Sequence, residues 1–184
     1  MTGLDLGKDA LVEIACVVTD AELRPLDEGI SIVIRPPLQA LEQMSAFVTE
    51  MHRASGLLPL ISSGADLAEA ENAVLSYVQR HVPEARKAPL AGSSVYVDRG
   101  FLARDMPLLD EHLHYRVVDV SSLKELVRRW YPRVYFNAPE KTGNHRALGD
   151  VHDSIAELRY YRGAVFSGPP QQPDGAAAEE TAPA

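Results

Sequence analysis

Residues 114–132 read HYRVVDVSSLKELVRRWYP, and this stretch decides the fold class. Arg116-Val117-Val118-Asp119-Val120 is a short β-branched run with the composition of a strand. Ser121-Ser122 break it, and Leu123, Leu126, Val127 and Trp130 then recur at helical spacing until Pro132 stops the pattern. A strand that passes directly into a helix is the repeating unit of an α/β domain. In such domains ligands sit beyond the strand ends, where connecting loops deliver side chains.

Working outward, the same grammar recurs. Ala10 to Thr19 is a β-rich run ended by the turn-like Thr19-Asp20, and Ile30 to Ile34 is a second strand stopped by Pro36-Pro37. The ten residues between them suit a hairpin with a modest loop. Pro89 to Ser93 reads as a short buried strand, followed by a helix containing Phe101 and Leu102. Leu67, Ala70, Val74, Leu75 and Val78 predict a helix over about 66–82. A last helix is expected from near 146 to 163, with Ala147, Val151, Ile155 and Leu158 inward and Tyr161 near its end. Strands first, then strand–helix alternation, predict a mixed sheet flanked by helices. Residues 1–166 form one domain by this reading. Residues 167–184 are rich in Pro, Ala, Gly and Glu, show no periodicity, and are predicted to be a disordered tail.

Bulk composition narrows the function. The chain of 184 residues is 46% apolar and 24% charged, as expected of an ordinary soluble domain with a real core. It contains no run of about eighteen apolar residues and no basic-then-apolar leader, so neither a membrane nor a secretory route is expected. The single cysteine, Cys16, lies in a strand-like run, which predicts a reducing, cytoplasmic setting. A formal charge of −8 argues against coating long duplex nucleic acid. Asp174, Glu179 and Glu180 of the tail supply part of that charge and leave about −5 for the rest. A small nucleotide remains compatible if a metal and a few arginines manage its phosphates locally.

Three stretches can carry chemistry. In Gly143 to Asp150 the five positions from His145 to Asp150 sweep about 140° around a helix, so the two converge only if His145 precedes the helix proper. Lys141-Thr142-Gly143-Asn144 provides the loop for that, with Asn144 able to cap. A histidine beside a carboxylate suits water activation next to a metal; a surface histidine and a solvated aspartate fit the spacing equally simply. In Ala91 to Asp98 a strand runs into small residues and Asp98 follows at a helix start. It can bind a divalent ion there, or merely favour the helix dipole. In the opening block Tyr115 and Arg116 stand at a strand's entrance and Ser121 and Ser122 at its exit. Arg and Ser suit phosphate oxygens, although either serine could simply cap the next helix. Lys124, Arg128, Arg129, Trp130, Tyr131 and Arg133 form a basic, aromatic strip, half core and half solvated, that could also anchor a subunit interface.

Taken in order, MTGLDL, VEIACVVTD, EMHRASGL, PLAGSSVYVDRGFLARDMP, HYRVVDVSSLKELVRRWYP and HRALGDVHDSIAELRYYR resemble the oligoribonucleases, 3′-to-5′ exoribonucleases of the DEDDh superfamily. These segments span residues 1 to about 165. The resemblance implies an RNase H-like α/β fold. It implies a site in which four acids hold two divalent ions, Mg²⁺ or Mn²⁺, and a histidine acts as general base. Matching positions make Asp98 and Asp150 metal ligands and His145 the base. They place Leu4 as a wedge against the bases, His52 in the substrate pocket, and Ser94, Ser121 and Arg116 on the 5′ phosphate. Tyr115 is implied to serve the active site of the opposite subunit, and hence a homodimer. The implied substrates are dinucleotides and very short oligoribonucleotides, cut to 5′-mononucleotides. Phe47 stands where several relatives carry Trp, and stacking survives that change.

MTGLDL reads as a loop that should follow something. In the family it follows a central strand ending Asp-X-Glu that carries the first two acids, and this strand is expected to be absent from residues 1–184. Asp5 and Asp9 lie in the loop and are not expected to replace them, and Glu13 is expected to be structural. For residues 1–184 alone there are two expectations: an impaired exoribonuclease, or a catalytically silent dimer that binds short oligonucleotides.

Overall fold

The computed structural model describes residues 1–141 and 145–166. Residues 142–144 and the predicted tail, 167–184, lie outside the described residues, and so does the suggested cap Asn144. Among the described residues four strands and eight α-helices succeed one another in the order β1 (Glu13–Cys16), β2 (Ile30–Val33), α1 (Leu38–Glu42), α2 (Ala46–Ala54), α3 (Leu67–His81), β3 (Pro89–Gly92), α4 (Val95–Asp105), α5 (Pro107–His112), β4 (His114–Asp119), α6 (Val120–Trp130), α7 (Pro132–Phe136) and α8 (Ala147–Val165). A short 3-10 segment, Leu58–Ser63, lies between α2 and α3. β1 and β2 pair antiparallel, with Glu13 opposite Val33, and β3 and β4 pair parallel, with Gly92 opposite Asp119. Both senses of pairing are therefore present, as the mixed α/β reading requires.

Local chemistry explains the main elements. In α3 the Glu69 carboxylate accepts from the Asp66 N–H at 3.2 Å, one half of a capping box. Its apolar face buries Ala70, Val74, Tyr77 and Val78 against Ile34, Phe101, Leu102, Met106 and Leu109. A second small core joins Val120, Val127 and Tyr161, which pins α6 to α8. α8 also packs against β1, β2 and β3, so one long helix bridges both strand pairs.

Several expectations need adjustment. The β-rich run over residues 10–19 yields only four residues of strand, with Leu11 and Val12 buried just ahead of it. The strand at Pro89–Gly92 is not buried; its residues alternate between exposed and half-buried, and among the described residues only β4 pairs with it. In α8 the most buried positions are Ser154, Glu157 and Tyr161, while Ala147, Val151, Ile155 and Leu158 are half-buried. The inward face is set by what α6 and β1 present, and two of its three buried members are polar.

The opening loop is held by one carboxylate. Asp9 is 6% exposed and accepts from the Thr2 hydroxyl at 3.0 Å and from the Asp5 N–H at 2.9 Å. A Cβ on Gly3 would lie 2.3 Å from the Asp9 carboxylate, so glycine is required at that close approach. Asp9 thus shapes the loop, and Leu4 at its tip is left 73% exposed.

Candidate active site

The head of α8 carries His145 and Asp150. His145 stands ahead of the helix with φ of 50°, a left-handed conformation that costs an L-residue roughly 1–2 kcal/mol. The next two residues are clamped. The Arg146 guanidinium donates Nε and Nη2 to Glu13 Oε1 at 3.0 and 2.7 Å, and the Ala147 N–H donates to Glu13 Oε2 at 2.9 Å. Charge-assisted bonds of this kind contribute about 1.5–3 kcal/mol each, enough to outweigh the strain beside them. Glu13 therefore does from β1 what a local cap usually does, placing a negative charge at the helix N-terminus. Asp150 lies in the first turn of α8; burial pushes its carboxyl up, His145 and Lys141 pull it down, and Asp153 and Glu13 add to the rise.

Asp98 occupies the first turn of α4, just beyond the C-terminal end of β3. Burial raises its carboxyl, a backbone hydrogen bond and the Met1 amine oppose that, and Asp119 reinforces it. Burial also lowers the Met1 amine, which feels Asp98, Glu13 and Asp9 as negative neighbours. His52 of α2 is 3% exposed, and its Nε2–H donates to the Met1 carbonyl at 2.9 Å. Burial lowers the pKa of His52, which leaves the ring neutral. Its Nδ1 is buried without a hydrogen-bond partner.

The third part of the site lies where β3 and β4 end together. Asp119 Oδ1 accepts from the N–H groups of Ser94 at 3.1 Å, Ser121 at 2.9 Å and Ser122 at 3.4 Å. This one oxygen caps α6 and holds Ser94 in a left-handed conformation, φ 54°. The Ser94 hydroxyl donates to the Ser121 hydroxyl at 3.1 Å. Two hydroxyls thus meet on an open surface, lined also by Tyr96 and Arg129. The expected capping by Ser121 or Ser122 is replaced by Asp119, and this frees the Ser121 hydroxyl for Ser94.

Other expected contacts do not converge on this hydroxyl pair. Arg116 sits three residues back along β4, roughly 10 Å at strand rise, with its guanidinium 5.3 Å from the Tyr115 ring centroid. Tyr115 is 74% exposed and stacks on His114 at 4.5 Å. Trp130, Phe136 and Phe47 are also largely exposed. Asp119 is the organising residue that sequence reasoning missed, and Glu13, expected to be structural, organises the start of α8 through partners that reasoning did not identify. Asp119 is legible as a helix cap immediately before Val120-Ser121-Ser122; Glu13 has no local signal, because its partners lie more than a hundred residues away in the chain.

Asp98 and Asp150 are hard oxygen donors of the kind that divalent cations take, and burial raises both, so a nearby cation would relieve each. Among the described residues, however, no group of three or more His, Cys, Asp or Glu side chains is gathered to hold a metal ion. The two carboxylates fit such an ion in kind and do not complete its site.

Comparison with known proteins matches residues 1–158 to a family model described as an exonuclease of the RNase T type. The oligoribonuclease of Streptomyces coelicolor is 65% identical over 166 residues, covering 90% of this chain and 83% of the relative. That of Streptomyces griseus is 62% identical over 182 residues, covering 99% and 90%. That of Leifsonia xyli subsp. xyli is 61% identical over 170 residues, covering 92% and 82%. Such identity over nearly the whole domain takes in the α8 head, the Asp98 turn and the β4–α6 junction together: the chain belongs to the oligoribonuclease family of exonucleases.

Proposed function

We propose that the chain is a 3′-to-5′ exoribonuclease that hydrolyses dinucleotides and very short oligoribonucleotides to 5′-mononucleotides. The observation that carries this reading is Asp98 at the head of α4, the paired hydroxyls of Ser94 and Ser121, and the α8 head with His145 and Asp150, all present in a chain of this family. His145, exposed and ahead of its helix, takes the proton from the attacking water. Ser94 and Ser121 receive the 5′ phosphate of a short substrate. Leu4 at the loop tip wedges against the bases, and His52, neutral beneath the loop, shapes the pocket floor.

Asp98 and Asp150 are the residues that would hold Mg²⁺ or Mn²⁺; the family works with divalent ions, which polarise the phosphodiester. Two further acids, on an Asp-X-Glu strand leading into MTGLD, are needed to complete a two-ion site. Tyr115 serves the partner subunit's site in a homodimer, supported by its exposure and that of Trp130 and Phe136. A cytoplasmic setting agrees with Cys16, whose thiol is pushed up to about 11 by burial and stays protonated. No described helix is long and apolar enough to cross a membrane.

The absence of a three-ligand cluster among the described residues favours a second reading for residues 1–184 alone, a silent dimeric binder of short oligonucleotides. One experiment separates the two. Purified chain is incubated with Mg²⁺ and either a 5′-phosphorylated diribonucleotide or a 20-mer RNA. Turnover of the dinucleotide that Asp150→Asn abolishes supports the enzyme. Tight metal-free binding without turnover supports the binder, and preference for the 20-mer overturns both.

A further inference from the structure

We propose that Glu13 of β1 is the positioning residue for His145, acting through Arg146 and the first N–H of α8; this rests on the exoribonuclease reading. The side chain of Glu13 is 4% exposed, and three donors meet its two oxygens there. All three belong to the two residues that directly follow His145. The two carboxylate oxygens divide the donors between them. Oε1 takes both Arg146 nitrogens, and Oε2 takes the Ala147 N–H. A planar fork on one oxygen and a helix N–H on the other fix the direction in which the chain enters α8.

That direction decides where His145 points. The residue is left-handed, and a left-handed non-glycine persists only when its surroundings over-determine it. The other flank of the segment is held independently. Lys141 Nζ pairs with Glu157 Oε2 at 3.1 Å, while Oε1 takes Lys124 at 3.0 Å and the Tyr161 hydroxyl at 3.0 Å. Glu157, like Glu13, has a side chain only 4% exposed. Glu157 thus holds Lys141 against α8 and α6, and Glu13 holds Arg146 and Ala147, the two residues that follow the candidate base. Glu13 also stands within electrostatic reach of Asp150, His52 and the Met1 amine, so it faces the site and not a remote part of the core.

A general base works only when its nitrogen lies within hydrogen-bond reach of the proton it takes. Loosening the clamp therefore lowers turnover and leaves substrate affinity, which His145 does not supply, nearly intact. The test compares Glu13→Gln, Glu13→Asp and Arg146→Lys with the unmodified chain of 184 residues. His145 imidazole signals are followed by NMR without metal, and dinucleotide hydrolysis with Mg²⁺ is split into kcat and KM. Glu13→Gln is expected to shift or broaden the His145 signals and to cut kcat about 10–100-fold, the usual effect of losing an orienting partner, with KM within about threefold. Glu13→Asp, which keeps the charge one methylene short, recovers part of kcat. Arg146→Lys, which keeps the charge and loses the fork, gives the same pattern if Glu13→Gln fails to fold. Unchanged His145 signals in a folded variant, or a loss carried wholly by KM, would overturn the proposal. If the unmodified chain shows no turnover, the exoribonuclease reading of residues 1–184 fails, and the clamp is decided on the His145 signals alone.

Discussion

Of the helices that begin at the site, α6 and α8 are started in opposite ways. α6 continues from β4 without a loop, and its cap, Asp119, is the last residue of the strand that feeds it. α8 is entered from a segment with its own left-handed residue, and its cap, Glu13, comes from the first strand of the domain. A local cap makes a rigid corner, suited to holding the two serine hydroxyls in fixed geometry. A remote cap ties the approach of His145 to the packing of α8 on β1. The cap of α6 is thus a neighbour in sequence that also reaches Ser94 across the parallel strand pair, whereas the start of α8 is set by a strand more than a hundred residues away.

Breaking each helix start separately should give distinct losses. The largest is expected at α8: His145→Ala should lower turnover of a chain carrying the complete acid set by about 10²–10⁴-fold, with little change in Tm, as measured by single-turnover hydrolysis and thermal melting. Next comes the corner of α6. Asp119→Ala removes the shared acceptor of three N–H groups and should cost about 0.5–2 kcal/mol in denaturant unfolding. It should also raise KM, because Ser94 loses the bond that holds its left-handed backbone. A loss confined to kcat would reverse the roles of the two helix starts.

A smaller effect is expected from Ser94→Ala with Ser121→Ala. The pair is exposed and open, so removing it should weaken binding of a 5′-phosphorylated dinucleotide several-fold, at about 0.5–1.5 kcal/mol per lost hydrogen bond, and leave the unphosphorylated dinucleotide unaffected. Equal weakening of both ligands would remove the phosphate role.

The smallest effect sharpens the comparison through pH. Burial would raise the Glu157 carboxyl, but hydrogen bonds from Lys124, Lys141 and Tyr161 outweigh it and hold the group below its ordinary value. A carboxyl lowered on folding stabilises the protein above its unfolded pKa, near 4.5, and that contribution fades as pH falls through the lower folded value. Thermal melting of Glu157→Gln should therefore show a lower Tm than the parent chain at pH 7 and a narrowing gap toward pH 3. A gap that widens on acidification would contradict the sign.

Much of this was legible without a structure. The β4–α6 unit is read directly from Arg116 to Trp130, because strand and helical spacing are contiguous, although the cap proved to be Asp119. His145 ahead of its helix is given by the turn angle to Asp150, and the structure places it there. The short helices α1, α5 and α7 were not legible; they span six residues or fewer, too few to display a period. The burial of α8 was misjudged for a different reason. Its inward face carries Ser154 and Glu157, which a hydrophobic pattern scores as outward, and only the partners Lys124, Lys141 and Tyr161 make that burial tolerable.

By itself the sequence determined the α/β class, the family and the identity of the chemically capable residues, since these are written in composition, short-range spacing and ordered motifs. Tertiary structure decided which donors each carboxylate meets. The ordered motifs set Asp9 and Glu13 apart from Asp98 and Asp150, but not what holds them. The difference is what they face: Asp9 meets the Thr2 hydroxyl and the Asp5 N–H, and Glu13 meets Arg146 and the start of α8. A carboxylate whose lone pairs are already filled by fixed donors is structural, and one that stands raised by burial at a helix start remains available for chemistry.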